Sequence, residues 1–214
     1  MLSHSQHSYW FHLHTNVTEG DLSVEDYFKM SKHYGIEELI FLEHISRSPQ
    51  YDIEEYASSI RNCSHDYNIK ARVGFEAKIL EDGELDILDK HIQIADVVGI
   101  AEHDFTPNLT LFMTAWKEVM DYAKTLTAEK EVVWVHPGLF FRKNRLMVTH
   151  KQEYQQLLRH ALENGIQLEY NLKYNLLERP LHLQFPHVLG IDACQESDII
   201  RWENSLAAAM ISSA

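Results

Sequence analysis

The chain has 214 residues, of which 45% are hydrophobic and 24% charged, with only 8 Gly and 5 Pro; this excludes collagen-like, low-complexity and disordered classes and suits one compact domain over 1–214. A formal net charge of −13 would repel a phosphate backbone, which disfavours nucleic acid as a partner. The start MLSHSQHSYW lacks the basic head and apolar run of a signal peptide. No stretch approaches the roughly 18 apolar residues of a membrane helix, and two cysteines, Cys63 and Cys194, make no disulfide framework, so the expected compartment is the cytoplasm and no membrane is expected as a partner.

In chain order, the β-rich run 8–14 (SYWFHLH) predicts a first strand, followed by a helical pattern at 23–34. Ser23 is placed to cap that helix, with Glu25 and Asp26 at its positive end, and Gly35 to stop it in the left-handed conformation. A strand at 36–42, a helix at 51–66, a strand at 69–76 and a helix at 84–92 come next. Strands at 95–100 and 131–136 flank a long helix at 107–127. A helix at 150–164, opened by Thr149 and closed by Gly165, leads to a strand at 166–171. The stretch 172–186 is helix-poor, a last strand covers 187–192, and a final helix covers 195–210. Strands alternating with helices over short connections imply parallel strands with right-handed crossovers. No Gly-rich phosphate loop follows the first strand, which removes the usual reason to prefer a dinucleotide-binding sheet over a barrel.

Histidine is abundant, 14 in all, and its placement is not random. The predicted strands end in His12 and His14, Glu43 and His44, Glu76, His103, His136, and Asp192 with Cys194. Nearly every strand thus delivers a metal-ligand type to one mouth of a barrel. The period of two predicts that His12 and His14 share a face while Phe11 and Leu13 take the other. His33, His91 and His160 fall inside predicted helices and His4 and His7 precede the fold, so surface or capping roles are expected for them. Cys63 and the four tryptophans read as packing.

The ordered motifs resemble the PHP family, the polymerase and histidinol phosphatase superfamily of metal-dependent phosphoesterases. Phe11-His12-Leu13-His14-Thr15 is similar to its first motif and Leu42-Glu43-His44 to its second, which is usually Thr-Asp-His. Gly74-Phe75-Glu76, the His103 segment, His136-Pro137-Gly138 and Asp192-Ala193-Cys194, in place of Asp-Ala-His, follow in order. The resemblance implies an α/β fold, a distorted (β/α)7 barrel of the PHP type, and two or three divalent transition-metal ions such as zinc, manganese or iron. His12, His14, Glu76 and Asp192 would hold one ion. Glu76 would bridge to a second held by His103 and His136, and His44, Glu19 and Cys194 would take a third, where a thiolate favours zinc. The implied reaction is hydrolysis of a small phosphomonoester by a metal-activated hydroxide, with Asp192 orienting it and His44 or His136 steadying the leaving oxygen. The substrate's phosphate would meet Arg142 and Lys143 in GLFFRKNR, unless that cluster is a solvated loop, with Arg47 and Lys173 as further candidates. An amidohydrolase-type hydrolase and a non-catalytic PHP-like binding or regulatory domain remain the alternatives. The first would want eight strands and a lysine or carboxylate bridge; the second is opposed by the retained ligand set. Substrate identity and oligomeric state are left open.

Overall fold

The computed structural model describes residues 8–177 and 184–212, with side chains described as far as Ser205. His4 and His7, and part of the 172–186 connection, lie outside these residues. Strands β1 (Tyr9–Leu13), β2 (Glu38–Phe41), β3 (Glu43–His44), β4 (Lys70–Arg72), β5 (Gly74–Lys78), β6 (Val97–Ala101), β7 (Glu131–Trp134), β8 (Gln167–Asn171) and β9 (Val188–Gly190) alternate with seven helices. These are α1 (Val24–Tyr34), α2 (Ile53–Tyr67), α3 (Asp89–Ile94), α4 (Leu109–Leu126), α5 (Leu139–Lys143), α6 (Lys151–Glu163) and α7 (Glu196–Ser212). None of the described helices is long and apolar enough to cross a membrane.

The strands pair in parallel as a three-stranded sheet, β1-β2-β4, and a six-stranded sheet, β3-β5-β6-β7-β8-β9. The predicted strand 69–76 splits in two at Val73, and a short further strand, β3, follows the predicted 36–42 beyond Leu42, so both stretches of chain feed both sheets. Beyond β9, Ile191 N donates to Phe11 O, Ala193 N to His12 O and His14 N to Ala193 O, which couples the first strand to the last. The result is a mixed α/β fold built on a curled, parallel sheet. The curl requires close approach at Gly74, where a Cβ would lie 2.5 Å from Phe41 O.

Two apolar layers hold this arrangement. Inside the curl, Tyr9, Phe11, Ile40, Leu42, Val97, Val133, Val135 and Val188 form one buried cluster. A larger cluster lies between sheet and helices and includes Trp10, Leu13, Trp116, Trp134 and Trp202, which agrees with the packing role expected of the tryptophans. Cys63 packs at the edge of the same layer. Burial of such large side chains, each removing about 1.5–3 kcal/mol worth of apolar surface from water, is the main stabilising contribution.

Phe11 and Leu13 therefore do not share a face. The first points into the curl and the second toward the helices. His12 has φ +71°, and the β1–β2 register shifts between Phe11 and Leu13, so an irregularity at His12 breaks the period of two. His12 and His14 still meet at one site, but through this kink rather than through regular alternation.

Local signals explain most helix ends. Ser23 accepts from Asp26 N at 3.2 Å while its own N–H donates to Asp26, a capping box, and Gly35 at φ +68° closes α1. Ser23→Ala is expected to lower unfolding free energy by about 1 kcal/mol in urea denaturation; an unchanged midpoint would remove the cap from the account. Three expectations need correction. Helix α3 begins only at Asp89, because Leu85 bridges back to Ile79. Helix α6 is capped at His150 without a side-chain bond, not by Thr149. His91 is buried rather than on the surface.

Candidate metal centre

The carboxyl ends of the strands converge on a cavity of about 630 Å3. His12 lies within β1 and His14 just beyond it; His44 ends β3, Glu76 sits in β5, and His103, His136 and Asp192 follow β6, β7 and β9. Three of these, His12, His136 and Asp192, have positive φ (71°, 32° and 53°), a region non-glycine residues rarely occupy and one often retained where a side chain must be aimed.

Glu76 is the centre of the arrangement. Its Oε2 lies 3.3 Å from His12 Nε2, 3.5 Å from His14 Nε2 and 3.2 Å from His44 Nδ1. Its Oε1 lies 3.4 Å from His103 Nδ1 and 2.8 Å from His136 Nε2. One buried carboxylate thus divides five imidazoles between its two oxygens, the geometry a bridging ligand needs. Burial would raise the Glu76 carboxyl, but His12 and His136 outweigh it and hold it well below the usual range. Burial likewise opposes ionisation of Asp192, which His12, His14 and Lys173 hold below its ordinary value. Burial lowers His103 to about 4, which leaves its imidazole neutral near pH 7.

Donor atoms fall within 4.8 Å of one another in four sets: His12, His136 and Asp192; His12, His14 and Glu76; His14, Glu19 and His44; and His44, Glu76 and His103. The donor set is imidazole and carboxylate, which suits zinc, manganese or iron. Among the described residues His136 Nδ1 is buried without a hydrogen-bond partner and buried His14 Nδ1 has only Glu43 Oε1 at 3.7 Å, an arrangement that is costly unless something else engages the ring. These residues fit divalent transition metals.

The surrounding polar groups hold the donors in place. Glu43, fully buried, accepts from Thr15 N, Thr15 Oγ1 and Thr18 Oγ1, which pins the turn carrying Glu19. Glu169 accepts from His12 Nδ1 at 2.7 Å and from His136 N. Asn171 donates to both Glu169 and Asp192. Glu102, driven up to about 7 by burial, accepts from Phe140 N at the start of α5.

A family model for the PHP domain matches residues 11–173. The chain belongs to the PHP domain family. The matched span carries five of the six motifs and stops before the last, Asp192-Ala193-Cys194. No curated protein matches the chain. Among solved structures, a phospho-2-dehydro-3-deoxyheptonate aldolase from Thermotoga maritima is similar at 14% identity, with a TM-score of 0.41 over 76% of this chain. The chain spans 41% of that protein's length. An organophosphorus hydrolase from Deinococcus radiodurans is similar at 10% identity, with a TM-score of 0.34 over 94% of this chain and 71% of the other.

The remaining residues singled out from sequence divide by position. Glu19 lies 3.2 Å from His44 Nε2 and lines the cavity. Cys194 enters none of the four donor sets among the described residues. Its Sγ lies 3.2 Å from Lys173 Nζ and 3.5 Å from Glu19 Oε1, and burial pushes the thiol up to about 12. Where Cys194 was expected beside His44 and Glu19, His14 stands instead. Lys143 lines the cavity, on the five-residue helix α5 rather than in a loop. The Arg142 guanidinium donates to Tyr174 O, and Arg47 pairs with Glu84 beside a separate groove. Lys173 lines the cavity and donates to Asp192 at 3.0 Å. Sequence reasoning passed over Glu169 and Asn171; the available signal was a carboxylate in the middle of a strand that is otherwise largely buried.

Proposed function

We propose that the chain is a metal-dependent phosphoesterase that hydrolyses a small phosphomonoester, as a histidinol phosphatase does. The observation that carries this reading is the division of five histidines between the two oxygens of Glu76, in a cavity whose lining includes Lys143 and Lys173. Two ions at the Glu76 centre, with a third at His14, Glu19 and His44, is the stoichiometry this reading favours. When bound, such ions lower the pKa of water and offset charge on phosphoryl oxygens.

The chain's own residues do the rest. Lys173 is fixed by Asp192 and Cys194, so two of its three N–H groups are engaged and the third is left for a substrate oxygen. Lys143 supplies a second positive charge at the rim. Asp192, held ionised, orients water or accepts its proton. His44, 26% exposed and at the mouth, is better placed than the buried His136 to steady the leaving oxygen. A compact domain over 1–214, the two sheets forming one (β/α)7 barrel of the PHP type, and a cytoplasmic, small-molecule role go with this reading. The −13 charge argues against a nucleic-acid substrate. An amidohydrolase is less well supported, since the PHP family model matches residues 11–173.

The test is hydrolysis of an aryl phosphomonoester by protein stripped with chelator and reconstituted with zinc or manganese. Activity should vanish on stripping and return with metal. Lys173→Met should raise KM by about tenfold or more, the loss expected for one charge-assisted hydrogen bond. Lys143→Ala should raise it a few-fold with metal content unchanged. Reconstituted protein that leaves phosphomonoesters intact would overturn the reading.

A further inference from the structure

We infer that the hydroxyl of Tyr174 is a further substrate contact, a hydrogen-bond donor to a phosphoryl oxygen beside the ammonium of Lys173. The inference rests on the phosphomonoester reading above and adds one group to the residues that carry it out.

Two tyrosines line the cavity. The hydroxyl of Tyr51 is committed, since it donates to His44 O at 2.9 Å. The half-buried Tyr174 is arranged the other way round. Its backbone N–H donates to Asn171 Oδ1 at 2.9 Å, and its backbone oxygen accepts from the Arg142 guanidinium at the end of α5. Asn171 is in turn tied by its amide to Glu169 and Asp192, so the turn that carries Tyr174 is fixed from two directions. The ring is held as well, edge-on to His136 with 5.7 Å between centroids, and with Lys173 Nζ 5.8 Å from its own centroid. Only the hydroxyl has no partner among the described residues. A donor whose backbone and ring are already in place loses little freedom when a ligand arrives.

The charges around that hydroxyl say which way it faces. Burial and then Asp192 raise the phenol above its ordinary value, Lys173 opposes them, and Glu76 and Glu19 add to the rise. The hydroxyl therefore stands in the field of the carboxylates that surround the cavity, and as a protonated phenol it meets an anion by donating. Lys173, the preceding residue, lines the same cavity, with its ammonium 3.0 Å from Asp192 Oδ1. A phosphoryl group that takes the free N–H of Lys173 comes beside Tyr174, and one charged and one neutral donor then serve two of its oxygens.

The experiment compares wild type with Tyr174→Phe, both reconstituted with zinc and freed of excess metal. Phenylalanine keeps the ring and its contacts with His136 and Lys173, so the hydroxyl alone is removed. Calorimetric titration with inorganic phosphate reads the contact without turnover, and steady-state kinetics with an aryl phosphomonoester reads it during turnover. Tyr174→Phe is expected to weaken phosphate binding and to raise KM by about tenfold, the loss of one hydrogen bond to a charged group, with kcat within about threefold and zinc content unchanged. Phosphate binding equal to that of wild type overturns the proposal. So does loss of zinc, which would assign the hydroxyl to the metal centre, and so does a fall in kcat at unchanged phosphate binding, which would assign it to the transition state alone. Wild type that binds phosphate about tenfold more tightly than the variant yet turns over no phosphomonoester would sink the functional reading and leave this one standing; turnover with identical phosphate binding in the two proteins would do the reverse.

Discussion

Replacement of Glu76 by alanine is expected to remove at least one metal ion per chain and to lower kcat against a phosphomonoester by about three orders of magnitude or more. The physical reason is charge. Each oxygen of Glu76 faces a different group of histidines, so this one carboxylate is positioned to screen two cations from each other. A methyl group in its place leaves those charges close together in a buried site without an intervening anion, and one ion should leave. Loss of several kcal/mol of charge stabilisation at 1.36 kcal/mol per factor of ten gives the expected rate effect. Metal analysis after dialysis, beside steady-state kinetics, checks both halves. Full stoichiometry with retained activity would remove Glu76 from the bridging role. Glu76→Gln, which keeps the volume, separates loss of charge from a packing defect.

The second large effect is expected at Asp192. Asp192→Asn keeps the shape, but it removes the only anion from the His12, His136 and Asp192 set and takes a carboxylate partner from Lys173. The Asp192 carboxyl is held below its ordinary range because burial, which opposes ionisation, is outweighed by His12, His14 and Lys173. A neutral amide reverses that balance. The expected outcome is a fall in kcat of about 10^2- to 10^4-fold, the range for removal of a positioned proton acceptor, together with weaker metal binding. The two parts are read separately, by kinetics at saturating metal and by metal titration without substrate. A variant that matches wild type in both would place Asp192 outside the chemistry and leave it as the partner that fixes Lys173.

The architecture was largely legible because its signals are local. Short runs rich in Val, Ile, Phe and Trp between helical patterns located every strand except the two-residue β3, and Ser23 and Gly35 bounded α1 at the expected places. The break at Val73 and the extra strand β3 after Leu42 were not legible, since they arise from how neighbouring strands curl past one another at Gly74. Helix α5 is only five residues long, too short to produce a period, and the left-handed Gly138 that opens it packs against Tyr154 of α6. Seven of the nine strand-end residues come together in the donor sets, Glu43 and Cys194 standing outside them, and His12 arrives through a backbone kink that alternation cannot reveal.

The second layer of the site was harder to see for the same reason. Glu169 contacts residues 157 and 33 positions away along the chain, so its place in the middle of a strand was the one local signal and its partners were not legible. The arginines illustrate the converse case. Arg142 and Arg47 lie near the right motifs, yet their guanidinium groups are engaged by Tyr174 O and Glu84, whereas Lys143 and Lys173 line the cavity. Proximity in sequence fixed the neighbourhood of these cations and not their direction.

The central claim, that Glu76 organises a multinuclear metal centre, is tested most directly by anomalous scattering from crystals grown with zinc or manganese and measured on both sides of the metal's absorption edge. The account predicts at least two anomalous peaks, one near each oxygen of Glu76, the first among His12, His14 and Asp192 and the second beside His103 and His136. A single peak, or peaks remote from Glu76, would contradict it.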